Sequence, residues 1–240
     1  MNYKISEREG EIIEKVKDKD LLVFSPRDVR HIIDTSQENV HRILQNMKKK
    51  DLVISPERNK YVLKEKWDET DVYAIASNLF SPSYLALWSA LHFHGMTEQV
   101  PQTVFLITTK RKRTGEIQNR KIRFVKTRKK DYFGYESRGN VIVSDREKTV
   151  IDCLRLPEYA GGIEHIYSCL DRDLNREKLT DYCKRIGSSS LASRLGYMLD
   201  KKGLKFPELK ELVTTYSKLD PKGGRENPNS EWKIYANREI

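Results

Sequence analysis

Residues 35–63, TSQENVHRILQNMKKKDLVISPERNKYVL, constrain the fold more than any other stretch of the chain. Apolar side chains recur there at the helical spacing i, i+3, i+4 and i+7, at Val40, Ile43, Leu44 and Met47. They predict a helix with one buried face. Two short runs rich in β-branched residues follow, at 52–55 and 61–63, and the residues between them are turn formers and cations. This pattern predicts a β-hairpin with a basic tip directly after the helix.

The residues before this stretch predict two more helices. Thr35 and Glu38 have the spacing of a capping box, which would fix the start of the long helix. Ser25-Pro26 is typical of a helix start, and a second capping-box pattern begins at Ser6. Three helices followed by a two-stranded hairpin indicate a winged helix-turn-helix, which we place in residues 1–66.

The outer face of the long helix has the side chains that DNA-binding proteins use. Amides, hydroxyls, imidazoles and guanidinium groups hydrogen-bond to base edges, and cations pair with phosphates. We expect bases or nearby backbone to be contacted by Ser36, Gln37, Asn39, His41, Arg42 and Gln45. We expect the helix end and the hairpin tip to bind DNA through Lys48, Lys49, Arg58, Asn59 and Lys60, with the cations on phosphates. The alternative is that this is the solvated face of an ordinary amphipathic helix.

Length and composition limit the remaining possibilities. A winged helix-turn-helix needs only about 65 residues, so a chain of 240 residues encodes more than that domain. No apolar run approaches the roughly 20 residues that span a bilayer, and the N-terminus lacks an apolar signal region. The three cysteines are widely spaced and odd in number, which predicts neither a disulfide framework nor a metal knuckle. We expect a cytoplasmic protein that does not enter a membrane.

The positive charge is concentrated outside residues 1–66. The net charge is +10, and residues 110–130 contain 11 Lys or Arg against one acid. We expect residues 110–121 to form a basic hairpin arm that joins a buried strand at 103–108 to a half-exposed strand at 122–126. Its candidate binding residues are Lys110, Arg111, Lys112, Arg113, Arg120, Lys121 and Arg123. They would bind phosphates or an acidic partner, and the alternative is an arm that is merely solvated.

Beyond residue 66 the pattern predicts an α+β protein. We expect a linker at 64–71, then an α+β middle domain at 72–160 with the basic arm, in which Ser83 caps a helix and Asp145 caps another. Residues 161–240 read as a helical C-terminal region that belongs to a separate domain or to one domain with 72–160. Trp232, Ile234 and Tyr235 would dock back as an extended tail.

No constellation predicts catalysis, and we expect no catalytic residues, metal or cofactor. His92 and His94 lie about 200° apart on a helix, so they cannot share one ion. Gly187-Ser188 followed by Asp200 resembles a nucleotidyltransferase signature, but lysines stand where the second acid should be. We therefore predict that the chain is not an enzyme, and a nucleotidyltransferase-like enzyme is the less favoured alternative.

Three blocks resemble the AbiEi-type antitoxins and related regulators of viral defence: residues 83–101, 145–152 and 193–199. The resemblance implies a winged helix that represses its own operon and a C-terminal domain that antagonises a nucleotidyltransferase-like toxin. We accordingly expect a sequence-specific repressor of double-stranded operator DNA, acting as the autoregulating antitoxin of a type IV toxin-antitoxin (abortive infection) system. A homodimer on inverted repeats fits this expectation, and the alternative is a generic winged-helix regulator without an antitoxin role.

Overall fold

The computed structural model describes residues 4–171 and 173–240, and the chain has a mixed α+β fold. It divides into two compact units. The first unit takes in the chain up to Ser81 together with Gly139–Val141, and the second contains Pro82–Arg138 and Ile142–Ile240. Among the described residues, no helix is both long enough and apolar enough to cross a membrane.

The first unit consists of helices packed on a small antiparallel sheet. Its elements are α1 (Glu7–Asp18), α2 (Pro26–Ile32), α3 (Gln37–Lys49), β1 (Val53–Glu57), β2 (Lys60–Leu63), α4 (Lys64–Glu69) and α5 (Val72–Leu79). β1 and β2 pair as a hairpin, and Phe24 pairs with Tyr61 of β2 through two backbone hydrogen bonds of 2.9 and 2.8 Å. The core of the unit holds Val40, Leu44 and Met47 from the inner face of α3, which is the apolar face that the sequence predicts.

The helix starts in this unit agree with the sequence at two positions and differ at a third. The capping box of Ser6 with Glu9 is present, and Ser25 caps α2. The prediction for α3 is wrong by one residue, because Ser36 and not Thr35 is its N-cap and accepts a hydrogen bond from the Asn39 amide at 3.3 Å. Ser36 has an extended backbone at φ −70°, ψ 155°, which is the conformation an N-cap needs.

The expected linker at 64–71 is largely helical. Residues 64–69 form α4, which follows β2 directly, and Asp71 caps the next helix, α5. Seven of the eight residues of α5 are buried. The first unit therefore extends to Ser81, beyond the boundary predicted near residue 66.

The second unit is built on a six-stranded sheet. Its strands are β3 (Ser83–Leu85), β4 (Thr103–Thr108), β5 (Gly115–Ile117), β6 (Arg120–Lys126), β7 (Tyr135–Arg138) and β8 (Val141–Ser144), in the order β5-β6-β4-β3-β8-β7. β4 and β6 are parallel over their length, so the predicted hairpin between them is wrong. The hairpin is β5-β6, closed by Gln118 and Asn119 at φ 47° and 60°, and it places β6 between β5 and β4.

Within the described residues, five α-helices complete the second unit. They are α6 (Leu87–Phe93), α7 (Arg146–Arg155), α8 (Ile163–Cys169), α9 (Arg176–Ile186) and α10 (Ser189–Lys201). α6 packs against β4, α7 packs against α6, and the other three pack against α7. Asp145 caps α7 as predicted, but Ser83 does not cap a helix, because Ser83–Leu85 is a strand and the helix begins at Leu87. Strand pairing with β4 and β8 outweighs the local helical pattern at Tyr84.

The C-terminal tail docks on α10. It contains β9 (Ser217–Lys218), β10 (Pro228–Asn229) and β11 (Ile234–Tyr235), so the C-terminal region is not entirely helical. Trp232 and Ile234 are buried, which confirms the predicted docking. A Cβ atom at Gly196 of α10 would lie 2.0 Å from Cζ3 of Trp232, so only glycine allows the indole to approach the helix this closely.

Candidate nucleic-acid interface

The outer face of α3 presents a continuous polar surface. Because its apolar face is packed into the core, Gln37, Asn39, Arg42 and Gln45 are exposed, and His41 is half-buried. The Arg42 guanidinium donates a hydrogen bond to Oδ1 of Asn39 at 3.2 Å, one turn earlier. This bond holds the two side chains side by side on the exposed face, with the remaining guanidinium donors free for other acceptors.

The three lysines that end α3 have different roles. Lys48 and Lys49 are exposed, and neither forms an ion pair or hydrogen bond with the residues that the structure describes. Lys50 instead donates from Nζ to Oε2 of Glu9 at 2.7 Å and to the carbonyl oxygen of Lys4 at 3.0 Å. Lys50 therefore connects the end of α3 to the start of α1. Of the three lysines, only Lys48 and Lys49 are available to a ligand.

The Glu9 carboxylate is almost fully buried beneath this contact. Burial raises its pKa, but hydrogen bonds from Lys50 and from the Ser6 amide outweigh that effect and hold the pKa below its ordinary value of 4.5. The Glu9 carboxylate is thus charged at neutral pH, and its contact with Lys50 fixes the end of α3 against α1.

The tip of the β1-β2 hairpin is short and basic. Glu57 and Lys60 are the last paired residues, and Asn59 has a φ of 59°, a left-handed conformation that asparagine tolerates in turns. Arg58 and Asn59 are exposed, and Lys60 is half-buried. A register shift between Ile54 and Glu57 bends β1 just before the tip.

Three further basic side chains lie on α2, where we predicted no binding residues. Arg27, Arg30 and His31 are exposed, and none forms an ion pair or hydrogen bond within the described ranges. With Pro26 and Gln37 they line a cleft of about 370 Å³ beside the start of α3. Their spacing of three and four residues on the side of α2 away from Val29 could have revealed them, because that spacing places side chains on one helix face. We call the two arginines of this group, Arg27 and Arg30, the α2 cation cluster.

Some cations of the basic arm are already engaged within the second unit. Arg120 donates to the carbonyl oxygen of Pro101, and Lys112 lies over the Phe124 ring at 5.1 Å. Arg123 donates to the hydroxyl of Tyr159 at 3.2 Å and lies over its ring at 4.6 Å. These contacts hold β6 and the preceding loop against the rest of the unit.

The other predicted residues of the arm are exposed cations. Lys110, Arg111 and Arg113 belong to the loop between β4 and β5, and Lys121 points outward from β6. In the part of the chain that the structure describes, none of the four has a carboxylate partner. They are the members of the predicted set that a phosphate or an acidic partner could neutralise at little cost.

The residues considered for catalysis have other contacts. Nε2 of His94 donates to the Ser144 carbonyl oxygen at 2.6 Å, Asp200 forms an ion pair with Lys205, and Ser188 caps α10. Among the cysteines, Cys153 is fully buried, and burial raises the pKa of its thiol well above the ordinary value. Within residues 4–171 and 173–240, no three His, Cys, Asp or Glu side chains lie close enough together to hold a metal ion.

Comparisons with known proteins give information about the fold. No protein-family model matches the sequence, and no curated protein matches it. Among solved structures, the chain is similar to the crystal structure of the RV2827C protein from Mycobacterium tuberculosis, with a TM-score of 0.60 and 12% sequence identity. The match covers 97% of this chain and 92% of that chain. At this level of identity, the similarity shows that the two chains share an α+β fold over nearly their whole length.

Proposed function

We propose that the protein is a sequence-specific DNA-binding repressor and that residues 4–66 act as its winged helix-turn-helix. The observation that carries the proposal is the exposed polar face of α3, which is flanked within one unit by a basic hairpin tip and the α2 cation cluster. A helix of this kind lies in the major groove of double-stranded DNA, with the wing on the adjacent backbone.

The residues divide into two chemical groups in this proposal. Arg42 can donate two hydrogen bonds to a guanine, and Asn39 or Gln45 can pair with an adenine, so these side chains would read the sequence. The cations would bind phosphates instead: Lys48, Lys49, Arg58, Lys60 and the α2 cation cluster. Residues 1–66 contain 15 Lys or Arg against 12 acids. This excess is too small to bind DNA by net charge alone, so the positions of the cations matter.

Replacing Arg42 with alanine tests the assignment of α3. We expect Arg42→Ala to weaken binding to the operator by about 1 to 3 kcal/mol and to remove discrimination at one base pair. Fluorescence anisotropy titrations against a set of single-base operator variants, built on the DNA upstream of the gene, would measure both effects.

Two matched variants complete this experiment. Lys49→Ala should weaken binding to every sequence alike, and Arg8→Ala, at an exposed site on α1, should bind as the wild type does. An Arg42→Ala protein with wild-type affinity and specificity would contradict the placement of α3 in the groove.

The basic arm would supply additional phosphate contacts in this proposal. Each contact that is lost should reduce the slope of log K against log salt by about 0.9. We therefore expect a shallower slope when the four exposed arm cations, Lys110, Arg111, Arg113 and Lys121, are changed to glutamine. A control variant removes exposed cations elsewhere in the same unit, Lys184, Lys222 and Arg225. Equal slopes for the two variants would assign the arm to an acidic protein partner or to solvation.

We further propose that the repressor is the autoregulating antitoxin of a type IV toxin-antitoxin pair. The support is the resemblance of three sequence blocks, two of which lie in α7 and α10, where most side chains are buried. The resemblance therefore concerns residues that stabilise the fold of the second unit, more than residues that a partner would contact. Co-expression with a nucleotidyltransferase-like protein from a neighbouring reading frame tests this proposal. Restored growth supports an antitoxin, and unrelieved toxicity leaves a generic winged-helix regulator.

A further inference from the structure

Residues 128–138, RKKDYFGYESR, combine cations and aromatic rings in one short segment of the second unit. The segment runs from the end of β6 through a short 3-10 helix, Lys129–Asp131, into β7. It contains four Lys or Arg and three aromatic residues. Mixed cationic and aromatic surfaces are typical of proteins that bind unpaired nucleotides.

Tyr135 presents an exposed ring on a buried aromatic support. Its relative exposure is 44%, although most aromatic rings of this unit are packed inside it. It stacks on Tyr84 with ring centroids 5.2 Å apart and an angle of 11° between the planes, and the Tyr132 ring lies 4.9 Å away. Because Tyr84 is fully buried, the exposed surface of Tyr135 faces away from it.

The support beneath Tyr135 is held by a buried network. The Tyr84 hydroxyl donates to Oδ2 of Asp152 at 3.0 Å and accepts from Nζ of Lys148 at 3.2 Å. Burial and the neighbouring Asp152 raise the pKa of Tyr84 well above its ordinary value, so the phenol stays neutral. Tyr84 therefore cannot rotate without breaking both hydrogen bonds.

The backbone before Tyr135 is equally constrained. Gly134 has a φ of 70°, and a Cβ atom there would lie 3.0 Å from the Lys148 side chain. The exposed ring is thus fixed before any ligand arrives, which lowers the entropy cost of stacking a base on it.

Two lysines stand a few residues before Tyr135 in the chain. Lys129 and Lys130 are exposed, and neither has an ion-pair or hydrogen-bond partner among the described residues. The two arginines of the segment, in contrast, form ion pairs: Arg128 with Asp131 and Arg138 with Glu136. Lys130 and Lys129 stand two and three residues before Tyr132. Because the Tyr132 ring contacts that of Tyr135, a phosphate and a base of one strand could be held together.

We propose that Tyr135, Tyr132, Lys129 and Lys130 form a binding site for single-stranded nucleic acid, in which an unpaired base stacks on Tyr135 and its phosphates meet the lysines. We call these four residues the Tyr135 platform. Base faces inside a duplex are covered by their neighbours, so an exposed ring can stack only on an unpaired base. The site is distinct from the duplex-binding surface proposed on the first unit and does not depend on it.

The test uses the full chain and mixed-sequence 12-nucleotide RNA and DNA strands carrying a fluorescent label. We expect Tyr135→Ala to weaken binding about 5- to 150-fold, which corresponds to about 1 to 3 kcal/mol of base stacking. Tyr135→Phe keeps the ring and should bind as the wild type does. Lys129→Gln with Lys130→Gln should reduce the salt dependence of binding.

The chain offers a matched control in Tyr216, which is 46% exposed and stands between Thr215 and Ser217. Tyr216→Ala should retain wild-type affinity for both strands. The ratio of the RNA and DNA affinities shows which kind of strand the site prefers, and binding of either strand through Tyr135 supports the proposal.

Several results would overturn it: no measurable binding of either strand by the wild type, equal losses in Tyr135→Ala and Tyr216→Ala, or a loss in Tyr135→Phe as large as in Tyr135→Ala. Thermal unfolding of each variant separates loss of binding from loss of folding. Binding of operator duplex by Tyr135→Ala should be unchanged, so failure of this site is distinguishable from failure of the proposed repressor function.

Discussion

Replacing Lys50 with methionine should destabilise the first unit far more than an exposed lysine substitution would. Methionine keeps the length of the apolar stem but removes the ammonium group that lies 2.7 Å from Oε2 of Glu9. The Glu9 side chain is only 3% exposed and that of Lys50 is 23% exposed, so solvent screens the pair weakly. A carboxylate would be left buried with only the Ser6 amide and hydroxyl beside it.

The expected loss follows from the geometry. A hydrogen bond to a charged group contributes about 1.5 to 3 kcal/mol, and breaking a fully buried ion pair costs about 3 to 5 kcal/mol. Because Lys50 keeps some contact with water, we expect the lower part of this range, about 2 to 3 kcal/mol. For a unit of roughly 80 residues this lowers the melting temperature by about 10 to 20 °C.

A matched control is the ion pair of Lys17 with Glu65, which has the same 2.7 Å separation but side chains that are 44% and 46% exposed. Lys17→Met should change the stability by less than about 1 kcal/mol. Urea unfolding, monitored through the hydrogen exchange of the amides in α1 and α3, measures the stability of the first unit separately from that of the second. Equal losses in the two variants would refute the reasoning.

The pH dependence gives a second check on the same pair. The pKa of Glu9 in the folded protein lies below 4.5, so the stability that it contributes is complete above that pH and is lost as the pH falls through the folded pKa. Lys50→Met removes a cause of the lowered pKa. The difference in stability between wild type and variant should therefore shrink below pH 4.5, and a difference that stays constant on acidification would count against the buried pair.

Three further substitutions have defined outcomes. Gly196→Ala should destabilise the second unit by more than about 2 kcal/mol in thermal unfolding, since the new Cβ atom overlaps Trp232; a smaller effect would mean that the tail moves away easily. Ser36→Ala should lower the free energy of unfolding in urea by about 1 kcal/mol, while Thr35→Ala should change it little. The reverse order would assign the N-cap to Thr35, as the sequence predicts. Asp152→Asn leaves a buried ammonium without its carboxylate and should cost about 3 to 5 kcal/mol, whereas a loss below about 1 kcal/mol would show that water reaches the site.

Local patterns predicted much of the first unit. The spacing of Val40, Leu44 and Met47 identified the buried face of α3, and the turn formers at 56–60 identified the hairpin. The identity of the cap was less certain because Thr35 and Ser36 are both good N-cap residues, and the path of the backbone decides between them. Lys50 shows the same limit, since nothing local distinguishes it from Lys48 and Lys49.

The second unit depends more on contacts between distant residues. Tyr84 begins an apolar pattern at helical spacing, yet it lies in a strand because β4 and β8 pair on either side of it. The parallel pairing of β4 with β6 cannot be read from either strand alone. Likewise, the platform at Tyr135 depends on Tyr84 and Lys148, which are distant from it in sequence. The sequence marked the region as basic, but its aromatic support emerges only from the fold.

The assignment of Gly139–Val141 to the first unit means that the chain passes between the two units three times. Asn78 illustrates the link, since its amide donates to the Asn140 carbonyl oxygen at 2.6 Å from a position 62 residues away in sequence. A single cut after Ser81 would leave this three-residue insert on the wrong fragment. The two units therefore cannot be exchanged between proteins by one crossover, and a chimaera that keeps both intact must also transplant the turn between β7 and β8.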